Sequence, residues 1–245
     1  KKKGVIKGKI LVDTIWSKSL NEDRSLTIYL PEAYSKSEAY PIIYCADGQI
    51  VKDYAEYIER LIDNKKIVKL ILVGVHSGET PEVDKLNMAK NKRTLEYLKG
   101  IEKFIPSVDS GRFDKHLVFF CEEVKEYIDN NFSENISQRS LFGFSNGASF
   151  SISASLVYPR LYTNVISCSI GWELAMEEEL LPDKLPEYYL VAGTLEEDFY
   201  NVTKKWESIL QKNNKKVYFK KAVSYHDDIM WREEFLSIVE NIYGF

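Results

Sequence analysis

The chain has 245 residues, 44% of them hydrophobic, which is enough for one sizeable α/β domain with a well-buried core, and no stretch resembles an interdomain linker. Its net charge of −4 comes from 33 basic and 37 acidic residues interspersed along the chain, so no nucleic-acid footprint and no basic membrane-binding face is expected. A neutral or weakly charged small molecule is the better expected partner, and no apolar run approaches the length needed to span a bilayer.

Residues 5–12 and 25–30 read as strands, the second ended by Pro31, and they are expected to pair antiparallel at a sheet edge. Residues 41–46 form a continuous apolar run suited to a strand buried on both faces, followed by a turn at Asp47-Gly48 and a helix to about Asp63. Residues 68–75 repeat the buried-strand signature, and strand, helix, strand in that order is the grammar of a parallel sheet with crossover helices. From His76 to about Lys115 the pattern is polar and turn-rich, long for a connection inside a single domain, and a lid-like or pocket-shaping excursion is expected there. Leu117, Phe120, Cys121, Val124 and Ile128 then recur at helical spacing, with Glu122, Glu123 and Lys125 on the opposite face.

Residues 139–142 read as a short strand and 148–158 as a helix; 164–169 and 188–192 are further strands. Phe199, Val202, Trp206 and Ile209 mark a helix, 217–221 a last strand, and 229–243 a closing helix. The expected class is α/β, one domain over 1–245, with a mostly parallel central sheet, helices on both faces and antiparallel N-terminal strands. Cys45, Cys121 and Cys168 lie far apart in apolar surroundings, and an odd number closes no disulfide framework, so buried free thiols are expected. The chain starts at lysine rather than methionine, which leaves its compartment open, cytoplasmic or exported with the leader missing.

The pentapeptide Gly143-Phe144-Ser145-Asn146-Gly147 falls where a strand gives way to a helix, the context that makes a nucleophile elbow. Glycines two before and two after let strand and helix approach while Ser145 is thrust outward. The backbone amide of Asn146, at the first turn of the helix, would point at the same place and could bind a developing oxyanion.

A serine hydroxyl needs a base, and the chain has three histidines, His76, His116 and His226. In α/β-hydrolases the order is serine, acid, histidine, which His226 alone satisfies; it lies in a loop before the last helix. For His76 and His116 packing or hydrogen bonding is the expected role, although His76 could line a pocket. The acid should follow strand 188–192, where Gly193-Thr194-Leu195-Glu196-Glu197-Asp198 stands; Glu196 is favoured, Glu197 next, while Asp198 suits capping of the following helix. A second oxyanion donor comes from the loop after the third strand, giving the amide of Gly48 or Gln49, unless Asp47-Gly48 is an ordinary turn.

Several segments together resemble the enterochelin-esterase and esterase D-like branch of the α/β-hydrolases, which includes feruloyl esterases. They are residues 40–49, Arg93-Thr94-Leu95-Glu96-Tyr97-Leu98, residues 112–120, the elbow, Gly193 to Glu197, and His226-Asp227 with Trp231-Arg232-Glu233-Glu234. The resemblance covers most of the chain and implies an α/β-hydrolase fold and an esterase with Ser145 as nucleophile, His226 as base and Glu196 as orienting acid. Two positions depart from the family pattern: Ser224-Tyr225 precedes the histidine where glycine is usual, and Ala148 follows the elbow where a further glycine is common.

The expected activity is hydrolysis of a carboxylic ester of a small or medium organic acid, feruloyl-type or siderophore-type among the candidates, through an acyl-enzyme. The alternatives are acyl transfer on the same fold and a catalytically silent binding module. No cofactor or metal is expected, since no zinc-type cysteine and histidine cluster and no phosphate-binding loop occurs. The 76–115 tract, Trp172 and Trp231 are expected to shape the acyl or alcohol site. Oligomeric state is left open.

Overall fold

In the third strand of the sheet, Ile42 and Tyr44 join one apolar cluster while Ile43 and Cys45 join another, the signature of a strand covered on both faces. The computed structural model describes residues 6–105, 111–133, 135–172 and 181–245. Val5 and the Lys1-Lys2-Lys3 start lie outside the described residues, as do 106–110 of the excursion.

Eight strands, β1 (Lys9–Ser17), β2 (Glu22–Leu30), β3 (Ala39–Ala46), β4 (Ile71–Val75), β5 (Asn135–Phe144), β6 (Asn164–Cys168), β7 (Glu187–Gly193) and β8 (Val217–Ala222), form one sheet in the order β1-β2-β4-β3-β5-β6-β7-β8. β1 pairs antiparallel with β2 and β2 with β4, and every pairing from β4 through β8 is parallel. Pro41 is accommodated in a central strand because the β3 and β5 register shifts between Tyr40 and Pro41, sparing the ladder a missing donor.

The helices are α1 (Val51–Asp63), α2 (Lys92–Tyr97), α3 (Arg112–Val118), α4 (Val124–Phe132), α5 (Asn146–Val157), α6 (Asp198–Lys212) and α7 (Asp228–Tyr243). Val51, Tyr54 and Ile58 of α1 and Phe235 and Val239 of α7 pack on one face of the sheet; Val124 and Ile128 of α4, Phe150 and Ile152 of α5 and Trp206 of α6 pack on the other. Among the described residues no helix is long and apolar enough to cross a membrane.

Several boundaries differ from the sequence expectation. The first strand runs from Lys9 to Ser17 rather than over 5–12, because pairing with β2 continues to Ser17 against Glu22. The fourth starts at Ile71 rather than 68, since the Val68 amide is taken by the Tyr243 carbonyl of α7. The helix read from Leu117 to Ile128 spans 112–132 as α3 and α4 joined by a π-helical turn over Phe119–Glu123. Cys45, Cys121 and Cys168 are buried free thiols.

Chain order and spatial order part company at β3: the chain moves outward to β4 on one side and returns to β5 on the other. Such a reversal leaves a crevice at the carboxyl ends of the two strands. Asp47-Gly48-Gln49 leaves β3 there, and Ser145 leaves β5 beside it.

Candidate active site

Ser145 sits between β5 and α5 with φ 54° and ψ −126°, a left-handed backbone that turns the chain sharply enough to expose its side chain. Its amide donates to the Cys168 carbonyl of β6 at 2.9 Å. A Cβ on Gly143 would overlap the carbonyl of Gly147, so strand and helix meet backbone to backbone. α5 is buried from Gly147 to Leu156, and its serines find partners on the sheet: Ser151 with Ser167 at 2.6 Å, Ser155 with the Tyr188 hydroxyl at 2.9 Å.

His226 Nε2 lies 3.1 Å from Ser145 Oγ, and His226 Nδ1 lies 2.7 Å from Glu196 Oε1. Three segments separated by 81 and 30 residues thus converge in one line. Glu196 is buried, whereas Glu197 and Asp198 are exposed. Glu197 rather than Asp198 takes the N-cap position of α6, with φ 46° and no side-chain cap bond, while Asp198 is the first helical residue. The other Glu196 oxygen, Oε2, accepts from the Gly193 amide at 2.5 Å and from Ser169 Oγ at 2.9 Å.

The His226 loop is pinned to the acid loop: the amides of Thr194 and Leu195 donate to the carbonyls of Ala222 and Ser224 at 2.7 and 3.1 Å. Ser224, standing near the usual glycine position, donates its hydroxyl to Asp227 Oδ2 at 2.6 Å, and Asp227 Oδ1 caps α7 by accepting from the Met230 amide at 2.9 Å. The Phe199 ring lies over the imidazole with centroids 3.9 Å apart, in space that Gly171 leaves open.

On the other side of the serine, Asn146 opens α5 and so presents its amide at a helix N-terminus. Gly48 begins a short 3₁₀ turn, Gly48–Ile50, packed against Gly74. A Cβ on Gly147 would lie 3.2 Å from both Ala46 Cβ and Asp47 Oδ2, so the end of β3 and the elbow are immediate neighbours. The turns that carry both groups of expected oxyanion donors, Asn146 and the Gly48-Gln49 pair, are therefore neighbours.

The 76–115 excursion delivers α2 into the core, with Tyr97 and Glu96 fully buried. Arg93 forks onto Asp47, and the Asp47 amide donates to the Tyr97 hydroxyl at 2.9 Å. Glu96 binds Arg24, Arg112 and the Gly78 amide. Burial alone would raise the Glu96 carboxyl, but His116, Arg24 and Arg112 bring it down to about 2. His116 is buried among Tyr97, Phe119, Phe120 and Phe150, and burial pushes its imidazole down to about 4 against the pull of Glu96. His76 bonds Thr27 Oγ1 through Nε2 at 2.8 Å. Neither histidine is within the hydrogen-bonded line of Ser145.

The two tryptophans differ in placement. Trp231 is buried, stacks on Phe144 at 4.5 Å and donates its indole N–H to Ser169 Oγ at 2.8 Å, behind the acid. Trp172 is half-buried, edge-on to Phe104 at 5.1 Å, its amide bonded to Ser149 Oγ. Sequence reasoning missed Ser169, which no local pattern distinguishes from an ordinary strand-end serine. It also missed the Arg93 and Tyr97 grip on Asp47, although both residues stand in a segment that carried the family resemblance. Among the described residues no three His, Cys, Asp or Glu side chains converge as a metal site.

The model of the Esterase family, described as "Putative esterase", matches residues 17–242. The chain is 28% identical over 167 residues to YjcH of Bacillus subtilis (strain 168), a protein described as uncharacterized; the match covers 65% of this chain and 60% of that one. A solved ferulic acid esterase superposes with a TM-score of 0.77 at 15% identity, covering 98% of this chain and 99% of that one. The enterochelin esterase of Shigella flexneri superposes at 0.74 and 15% identity, covering 97% of this chain and 58% of that one. At such identities the likeness to the solved structures is one of fold.

Proposed function

Because the chain belongs to the Esterase family, we propose that it is a serine carboxylic-ester hydrolase working through an acyl-enzyme, with Ser145 as nucleophile, His226 as base and Glu196 as orienting acid. The observation that carries this reading is the unbroken line Ser145 Oγ, His226 Nε2, His226 Nδ1, Glu196 Oε1, with separations of 3.1 and 2.7 Å at its two hydrogen bonds.

In this mechanism His226 accepts the Ser145 proton as Oγ attacks the ester carbonyl, and returns it to the departing alcohol. Glu196, an acceptor only when ionised, holds the Nδ1–H tautomer so that Nε2 is free to act as base. The amides of Asn146 and of Gly48 or Gln49 stabilise the tetrahedral oxyanion, and water resolves the acyl-enzyme through the same base.

The substrate is an ester of a small or medium organic acid. Ferulic acid esterase and enterochelin esterase are the names of the fold neighbours, so aromatic acyl esters belong in the first panel beside acetyl esters. The test is hydrolysis of short p-nitrophenyl esters by the wild type and by Ser145→Ala, together with stoichiometric fluorophosphonate labelling. The expected result is loss of hydrolysis and of labelling in the variant; wild-type rates in Ser145→Ala would sink the mechanism.

A further inference from the structure

Glu196 uses its two oxygens for different purposes. Oε1 faces His226, while Oε2 is held by the Gly193 amide and by the Ser169 hydroxyl. Ser169 Oγ in turn accepts the indole N–H of Trp231 at 2.8 Å. An indole N–H can only donate, so it occupies the hydroxyl as acceptor and leaves its single proton directed at the carboxylate. A hydroxyl polarised this way is a stronger donor than one free to rotate.

Ser169 stands at the end of β6 with φ 58°, a conformation that a glycine would adopt with less strain. The hydroxyl accounts for a serine there. The same turn also serves the nucleophile, since the preceding carbonyl, of Cys168, accepts the Ser145 amide. Trp231 is itself fixed, stacked on Phe144 with 18° between ring planes and edge-on to His226 at 4.6 Å. Ser169, Glu196 and Trp231 are all buried, so water does not compete for these bonds.

We infer that Ser169 and Trp231 are positioning residues: the relay from the Trp231 indole through the Ser169 hydroxyl fixes the Glu196 carboxylate in the rotation that presents Oε1 to His226. The inference rests on the triad reading above and deepens it. Without the hydroxyl, Oε2 keeps one donor among the described residues, the Gly193 amide, and the carboxylate is freer to swing about it. The imidazole then loses its orientation while the ester-binding surfaces stay as they were.

Ser169→Gly is the decisive variant, because it removes the hydroxyl and relieves the backbone at once. Its kcat on p-nitrophenyl acetate is expected to fall about 10- to 100-fold, the loss of one hydrogen bond to a charged group, with KM within about twofold. Its thermal midpoint is expected to fall only modestly, because the relieved backbone offsets part of the cost of leaving the buried Trp231 indole N–H without its acceptor. Trp231→Phe is expected to lose less, and Ser169→Gly/Trp231→Phe no more than Ser169→Gly alone, since the indole acts through the hydroxyl. The downfield proton resonance of the His226 Nδ1–H should move or broaden in Ser169→Gly.

Wild-type kcat together with an unchanged resonance in Ser169→Gly overturns the relay, and so does an additive double variant. If the wild type neither hydrolyses esters nor labels with fluorophosphonate, the functional reading fails instead, and the resonance still decides the relay.

Discussion

Arg93 grips Asp47 with two parallel hydrogen bonds, Nε to Oδ1 at 2.5 Å and Nη2 to Oδ2 at 2.7 Å. Asp47 is almost fully buried and left-handed, with φ 60°, and the next two residues are the expected oxyanion donors Gly48 and Gln49. A helix from the excursion thereby sets the backbone at the end of β3.

Arg93→Ala is expected to lower kcat about 100-fold with little change in KM, the size of effect seen when an oxyanion donor is lost. Stranding the buried Asp47 charge should also destabilise the fold by about 3–5 kcal/mol. The pair Asp47→Ala/Arg93→Ala should recover stability without recovering rate. Arg93→Lys should recover little of either, because an ammonium cannot fork. Steady-state kinetics with thermal melts check this, and wild-type kcat in Arg93→Ala would contradict it.

The three acidic neighbours differ in burial and partners, so their amides should differ in rate. Glu196→Gln is expected to reduce kcat about 10³- to 10⁴-fold, because the amide favours the wrong imidazole tautomer. Glu197→Gln, exposed, should remain within about twofold of wild type. Asp198→Asn should affect only stability, by about 0.3–1 kcal/mol, through lost charge at the start of α6.

Acid should destabilise the fold in a window set by His116 and Glu96. The folded His116 imidazole is depressed from 6.5 to about 4, so the unfolded chain binds the extra proton as pH falls from 6.5 toward 4, and stability falls with it. Glu96 is depressed from 4.5 to about 2; its contribution is full above 4.5 and is lost as pH falls toward 2. The His116 part amounts to about 3 kcal/mol at 1.36 kcal/mol per unit. His116 Nδ1 lies 3.5 Å from Glu96 Oε2, a contact of charge rather than a hydrogen bond, and neither ring nitrogen has a hydrogen-bond partner among the described residues. His116→Phe should therefore keep the fold at neutral pH and flatten the stability profile between pH 6.5 and 4 in urea titrations. A profile as steep as wild type would argue against it.

The two elbow glycines are not equivalent. A Cβ on Gly143 runs into the Gly147 carbonyl, and rigid backbone cannot yield. Gly143→Ala is expected to cost about 3 kcal/mol or more or to abolish folding. A Cβ on Gly147 meets Ala46 Cβ and Asp47 Oδ2 at 3.2 Å, contacts that a few tenths of an ångström relieve. Gly147→Ala should cost about 1 kcal/mol, and equal losses in the two variants would refute the distinction.

Much of this was legible in the order of residues. Apolar runs such as 41–46 identify strands buried on both faces, since alternation disappears when both faces are covered. The glycine spacing around Ser145 and the late position of His226 marked the two residues now 3.1 Å apart. The excursion was less legible: α2 is only six residues, too short for a periodic signal, and its burial depends on Arg24 and Arg112 from distant segments.

Local sequence thus determined the α/β class, the strand-to-helix turn at Ser145, and a run of three acids, Glu196 to Asp198, from which one faces inward. Tertiary structure decided which acid meets His226, because loop register between β7 and α6 turns Glu196 into the core and leaves Glu197 and Asp198 in water. It also decided that Trp231 stands behind the acid and that Ser169 bonds it. Hydrogen bonds between residues dozens of positions apart leave no local pattern, since their donors and acceptors meet only when β6, β7 and α7 have packed.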